Sequence, residues 1–439
     1  MLFSRRSAML SALAAFAAPP RDAWAQPAPS AAPDEEPPVT ILRVQRRSIE
    51  VNKKPASVLG IRQPDGTPGL TTEAGKAFRV RVENELSEPT LIHWHGLTPP
   101  WQQDGVPGVS GPPIPPGGTG EYNFPLRFGG TFWMHSHQGL QEQELLAAPL
   151  IIHGRHGQRE EQEAVIMLAD FSFTPAEAIY EALRKRKRMA AMAGPPGAAG
   201  TGEMEPPSPM AMPAKPQRSG MAEASAQAKP DLNDVTYDAF LANDRTLADP
   251  EVIQVEPGGH VRLRVINSSA MSAYHLDLGA LRGELVAVDG FAIHPVSGGR
   301  FPLAVAQRLD IRIAIPSGPA AYPVLAILEG GRRQTGVILQ AGRAEVKRIP
   351  EIASEPSAAL SLDLESMLRA EEPLAPRKAD RVHKIELTGD MQSYIWSLNG
   401  VAWNKDVPPL PIAEGERVEL VLTNKTLMPH PMHLHGHEF

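Results

Sequence analysis

Four of the fourteen histidines fall between His430 and His437, in the run Pro429-His430-Pro431-Met432-His433-Leu434-His435-Gly436-His437. Side chains alternate faces along an extended strand, so His433 and His435 are expected to point the same way. Two imidazoles on one face are half a metal site, and the sequence holds partners for them. Ile92-His93-Trp94-His95-Gly96 has the same His-x-His-Gly form, and Trp133-Met134-His135-Ser136-His137 supplies a third pair. A single His-x-His pair is weak evidence, since many strands carry a buried or surface histidine. Three pairs, two of them at the same point of an internal repeat, are not explained by structural need. The six imidazoles exceed the four ligands of a closed zinc site. Imidazole-only ligation suits copper, so a multi-ion copper cluster is the expectation.

The repeat shows what must position these side chains. Gly75 to Asn84 leads to Leu91-Ile-His-Trp-His-Gly96, Gly259 to Asn267 leads to Tyr274-His-Leu-Asp-Leu-Gly279, and Gly415 to Asn424 leads to Met432-His-Leu-His-Gly436. In each copy the Asn and the final Gly are twelve residues apart. A Gly turn, an alternating strand, an Asn-ended bend and a second strand, three times over, predict three related β-domains in tandem. Val, Ile, Thr, Gly and Pro punctuating short apolar runs agree with an all-β protein. Where copies one and three carry His93/His95 and His433/His435, copy two carries Leu276 and Leu278, so a shared site should lie between the first and third domains. Copy one continues through Phe124, Phe128 and the His135/His137 strand to His153, whereas copy three has fifteen residues after Asn424. The third domain is expected to be incomplete, and the sequence to be a fragment of a longer protein.

At 439 residues the chain has room for two to four domains, and its net charge of -7 and pI near 6.1 speak against nucleic acid as a partner. It has no cysteine, which excludes disulfides and any thiolate ligand from these residues. Ser4-Arg5-Arg6-Ser7, an apolar run from Ala8 to Ala18, and Ala23-Trp24-Ala25 before Gln26 read as an export signal over residues 1–25, twin-arginine-like, which would use that export machinery and place the protein in the periplasm. No later stretch is long enough to span a bilayer. The expected domains are 39–160, 161–350 with a Met- and Pro-rich insertion at 184–230, a linker at 351–377, and a partial third domain at 378–439. The insertion holds Met189, Met192, Met204, Met210, Met212 and Met221, and thioether sulfur is a soft ligand suited to Cu(I).

HWHG at 93–96, HSH at 135–137 and HPMHLHGH at 430–437 resemble the motifs of the three-domain multicopper oxidases, the family of laccases, cuprous oxidases and copper-resistance oxidases. The resemblance covers nearly the whole mature chain and implies tandem cupredoxin-like Greek-key β-sandwiches. By that resemblance His93 and His433 bind type 2 copper, His95, His135, His137 and His435 the binuclear type 3 pair, and His430 type 1 copper. The activity it implies is one-electron oxidation of Cu(I) or a small phenolic reductant coupled to four-electron reduction of O2 to water. Asp104, in Gln102-Gln103-Asp104-Gly105-Val106, matches the family's acidic residue beside the cluster and is expected to be the catalytic proton donor; otherwise it is a turn residue in an Asp-Gly bend. The family's HCHxxxH motif, with its type 1 cysteine, does not occur here, so these residues alone are expected not to turn over. A non-enzymatic cupredoxin scaffold and a copper-sequestering protein are the alternatives. His437 matches no family ligand and is expected to back the ligands from outside or to be structural, while His153, His156, His260, His275, His294 and His383 lack partners at ligand spacing and are expected to be structural or superficial.

Overall fold

The computed structural model describes residues 38–154, 161–193, 232–390, 394–404 and 406–437. The expected export signal, most of the Met- and Pro-rich insertion and His156 lie outside the described residues.

The first sheet pair is built from β1 (Thr40–Val51), β2 (Lys54–Arg62), β3 (Leu70–Glu73), β4 (Ala77–Asn84), β5 (Ile92–His95), β6 (Thr119–Pro125), β7 (Gly130–Ser136) and β8 (Ala147–His153). One sheet runs β2-β1-β4-β6 and the other β3-β8-β7-β5, so neighbours in space are not neighbours in sequence. Strict alternation in β4 turns Phe78, Val80 and Val82 inward. They meet Ile92, Trp94, Phe132 and Met134 of the opposite sheet in one apolar core.

The second pair holds β9 (Gln162–Phe171), β10 (Ala239–Ala242), β11 (Val252–Val255), β12 (His260–Asn267), β13 (Tyr274–Asp277), β14 (Gly283–Val288), β15 (Phe291–Gly298), β16 (Arg300–Leu303), β17 (Arg308–Ala314), β18 (Ala320–Leu328) and β19 (Gln334–Ala341). Its sheets run β10-β9-β12-β17-β14-β15 and β11-β19-β18-β13-β16. The helix α1 (Ala176–Ala193) follows β9, and a short helix α2 (Asp363–Met367) lies in the stretch leading to the last sheet. That sheet is β21-β20-β22, from β20 (Arg381–Asp390), β21 (Ile395–Leu398) and β22 (Val418–Asn424). No helix among the described residues is long and apolar enough to cross a membrane.

The repeat is visible in the pairing. β4 lies parallel to β1, β12 parallel to β9, and β22 parallel to β20. The Asn closing each of these strands does the same work. Asn84 Nδ2 donates to the carbonyls of Glu88, Ile114 and Pro115 while Oδ1 accepts from Leu86 N. Asn267 donates to Ser272 O and Ala304 O and accepts from Ser269 N, and Asn424 donates to Met428 O and accepts from Thr426 N. One feature of the repeat differs from expectation. His433 and His435 do not lie in a β-strand, because no strand among the described residues pairs with 430–435 as β7 pairs with β5 and β18 with β13.

Candidate metal centre

β5 is buried on both faces, and its two faces do different things. Trp94 enters the core, edge-on to Phe78 at 4.8 Å and to Tyr122 at 4.8 Å. His93 and His95 project from the other face. The antiparallel register with β7 places His93 opposite His135 and His95 opposite Trp133, so His135 and then His137 share the histidine face. Two glycines permit the approach. Gly96 has φ +90° and a Cβ there would meet Phe132 and the Arg308 guanidinium at 2.6 Å, while Gly105 has φ +70° and a Cβ would fall 2.0 Å from Ile92 O.

The chain's last described turn brings His433 and His435 to this face, and the imidazoles sort into pairs. His93 Nε2 lies 3.2 Å from His433 Nε2, and His95 Nδ1 lies 3.2 Å from His135 Nε2. The rings of His137 and His435 are 5.2 Å apart, and the two belong with His93 to a group whose ligand atoms all fall within 4.8 Å of one another. His95 stacks on His433 at 3.9 Å. Leu276 and Leu278, at the equivalent positions of the middle repeat, are instead buried in the second core.

The outer nitrogens fix which tautomer faces inward. His93 Nδ1 is 2.8 Å from Asp104 O; a carbonyl only accepts, so Nδ1 carries the proton and Nε2 presents a lone pair. His435 Nδ1 is 2.9 Å from Asp104 Oδ2, with the same consequence. Asp104 thus holds one imidazole from each end of the chain. Burial pushes the pKa of His93 down to about 4 and that of His137 down to about 2 and holds His95 well below its ordinary value, while His433, exposed overall, is lowered to about 3 by the desolvation of the ring face packed on His95 and by its imidazole neighbours. The buried guanidinium of Arg308, from β17, acts in the same direction on His95 and His433. Burial alone would raise the Asp104 carboxyl, but the imidazoles of His435 and His93 outweigh it and hold Asp104 at about 2. Asp104 is therefore an ionised acceptor at neutral pH.

This donor set fits copper. Neutral imidazole is the ligating form, and two nitrogens bound to one first-row ion at about 2 Å lie roughly 2.9–3.4 Å apart, which brackets the two 3.2 Å pairs. One buried polar atom beside the pairs, Trp133 Nε1, has no hydrogen-bond partner, and Asp104 Oδ1 has only His93 Nδ1, 3.2 Å away, whose proton is directed at Asp104 O. His430 stands apart from the six. Its Nε2 bonds Thr426 Oγ1 at 2.7 Å, its ring meets Trp396 at 5.3 Å, and it lines an apolar cavity of about 1190 Å³. His437 is exposed and bonds His435 O, while His153 pairs with Glu163, His275 bonds Ala358 O and His383 bonds Pro411 O, all outside the cluster. Sequence reasoning missed Trp133, stacked on His135 at 4.1 Å, and Glu142, 3.2 Å from His135 Nδ1. The alternation Trp133-Met134-His135 carried a signal for the first; nothing in the sequence signalled the second.

Three family models described as multicopper oxidase match residues 43–157, 162–342 and 376–439. Copper resistance protein A of Escherichia coli is 26% identical over 478 aligned residues, covering 84% of this chain and 78% of that protein. Multicopper oxidase MmcO of Mycobacterium tuberculosis is 26% identical over 380 residues, covering 85% of this chain and 70% of its own length. Among solved structures, the L499M mutant of the laccase from B. aclada superposes with a TM-score of 0.62 at 21% identity, over 82% of this chain and 63% of that one. The chain therefore spans less than two thirds of that laccase, and the likeness establishes the fold. Matched by these models along most of its length, the chain belongs to the multicopper oxidases.

Proposed function

We propose that the six histidines hold a copper cluster in an exported, periplasmic oxidase that couples one-electron oxidation of Cu(I) or a phenolic substrate to four-electron reduction of O2 to water. The observation that carries this reading is the pairing of four imidazoles at 3.2 Å, with His137 and His435 beside them and within 4.8 Å, ligand atom to ligand atom, of one another and of His93. In this assignment His93 and His433 take the type 2 ion, His95 with His135 and His137 with His435 the type 3 ions, and His430 the type 1 site beside the apolar cavity. Copper, when bound, supplies the one-electron chemistry. The protein's part is to keep the ligand nitrogens bare at neutral pH, to aim them, and to handle protons. Asp104 is suited to the last task as an ionised carboxylate that would receive a proton at Oδ1, the oxygen not taken by His435, and return it beside the cluster, a relay rather than a standing store. The division into domains 39–160, 161–350 and 378–439 belongs to the same proposal, as does twin-arginine export.

Copper storage is the second reading, for which the imidazoles of the cluster and the six methionines of the 184–230 insertion would suffice without electron transfer. Copper titration of the chain, with counting of the ions retained against a chelator, tests the cluster. Loss of copper on replacing His93, His95 and His135 together is the expected result, and unchanged retention sinks the assignment. Oxygen consumption by the native gene product, supplied with Cu(I) or a phenol, separates oxidase from store.

A further inference from the structure

His135 is held more tightly than a metal ligand on a strand end requires. Its ring lies flat on Trp133, at 4.1 Å and 15°. Its Nδ1 is 3.3 Å from Ser136 O and 3.2 Å from Glu142 Oε2. Both neighbours accept, so the N–H is on Nδ1 and Nε2 faces His95 Nδ1 with its lone pair free. The carbonyl contact is at the long end of the hydrogen-bonding range, and a carboxylate is the stronger partner.

Glu142 sits in the turn between β7 and β8, and that turn is immobilised from within. Gln141, buried at 5% exposure, uses its whole amide. Its oxygen accepts from Thr90 Oγ1 at 2.9 Å and Ser136 Oγ at 2.8 Å, and its nitrogen donates to Glu88 Oε1 at 3.0 Å and Pro89 O at 2.9 Å. Thr90 lies just ahead of β5 and Ser136 lies between the two histidines of the β7 pair. One side chain thus ties both histidine-bearing segments to the turn. Leu145 N to Glu142 O and Leu146 N to Gln141 O close the turn's backbone.

We propose that Glu142 is a positioning residue for the cluster: its carboxylate fixes the His135 imidazole with Nδ1–H outward and Nε2 aimed at the ion shared with His95, and buried Gln141 locks the turn that delivers it. The proposal rests on the copper reading above. An outer carboxylate orients a ligating imidazole and raises its basicity, and loss of such partners costs about 10–100-fold in metal affinity.

The test uses the full chain and its Glu142→Ala and Glu142→Gln variants, titrated with copper against a competing chelator, beside the copper-free unfolding midpoint and the side-chain ¹⁵N shifts of His135. E142A is expected to hold copper about 10–100-fold less tightly and to show both His135 tautomers. E142Q, whose amide oxygen still accepts, is expected to recover most of the affinity, with the copper-free midpoint unchanged in both. Copper retention by E142A within about twofold of the parent, or a loss matched by a fallen copper-free midpoint, overturns the proposal. A parent chain that takes up no copper overturns the cluster reading and this proposal with it; a parent that binds while E142A binds equally overturns this one alone.

Discussion

For a single imidazole the deciding question is which nitrogen carries the proton. Backbone and carboxylate acceptors on the outer nitrogens of His93, His135 and His435 leave the inner nitrogens bare. On the proposed assignment the bare nitrogens of His93 and His433, and of His95 and His135, would be partners in one binding event rather than independent ligands. Substitutions within a pair should be non-additive. His93→Ala and His433→Ala are each expected to lower the copper bound by about one ion per chain, and the double variant by about one as well, whereas His93→Ala with His95→Ala removes about two. Metal counting on purified variants checks this. Additive loss within a pair would show that the ligands are not grouped as the 3.2 Å contacts group them.

In each repeat an asparagine closes the strand ahead of the bend, and the three copies of that asparagine differ in burial. Asn84 and Asn267 are 1% and 0% exposed, while Asn424 is exposed. Replacing a buried one by Ala strands several carbonyls and one N–H away from water. Asn84→Ala is therefore expected to cost about 2–3 kcal/mol in urea unfolding, and Asn424→Ala less than about 1 kcal/mol because water takes over its partners. Equal costs at the two sites would mean that the bend is set by the backbone alone. The Asn-to-Gly spacing was legible in the sequence because it is local geometry, repeated, and alternation put His93 and His95 on one face for the same reason. The pairing of histidines was not legible in the local pattern, and only the family resemblance put His93 and His433 on one ion. It depends on partners 40 residues apart for His95 with His135 and 340 apart for His93 with His433, and no local pattern encodes such a register. The expected strand through His433 and His435 failed on the same ground, since a strand needs a neighbour to pair with. Glu142 was invisible because a turn side chain reaches its partner only through the fold of the turn.

The whole molecule must hold two distant parts of the chain against each other around groups that resist charge. Part of the holding is ionic. Arg264 Nη1 of β12 donates to Thr131 Oγ1 of β7 and to Asp310 Oδ2 of β17, both at 2.8 Å, joining the first sheet pair to the second. Arg264→Met would leave buried Asp310 with only Arg262, 3.8 Å away, as a cation and should cost about 2–4 kcal/mol, read by chemical denaturation. A cost below about 1 kcal/mol would show the contact to be incidental. The cluster itself works against folding in acid. A histidine in the unfolded chain takes its proton near 6.5, whereas buried His93 takes it at about 4. Between those values the unfolded state binds more protons than the folded one, so stability is full above pH 6.5 and falls as the pH drops toward 4. His93 alone accounts for about 3 kcal/mol of that fall, from the 1.36 kcal/mol carried by each pKa unit. His433 and His137, displaced in the same direction, extend the loss to lower pH. Asp104, ordinarily near 3.8 and held at about 2, adds stability that is lost as the pH falls from 3.8 to about 2, so the histidine phase comes first. Urea unfolding of the copper-free chain at a series of pH values should show this slope between pH 6.5 and 4. His93→Gln, which cannot be protonated, should flatten it by about one proton's worth; a variant with the parent's full slope would place the acid sensitivity outside the cluster.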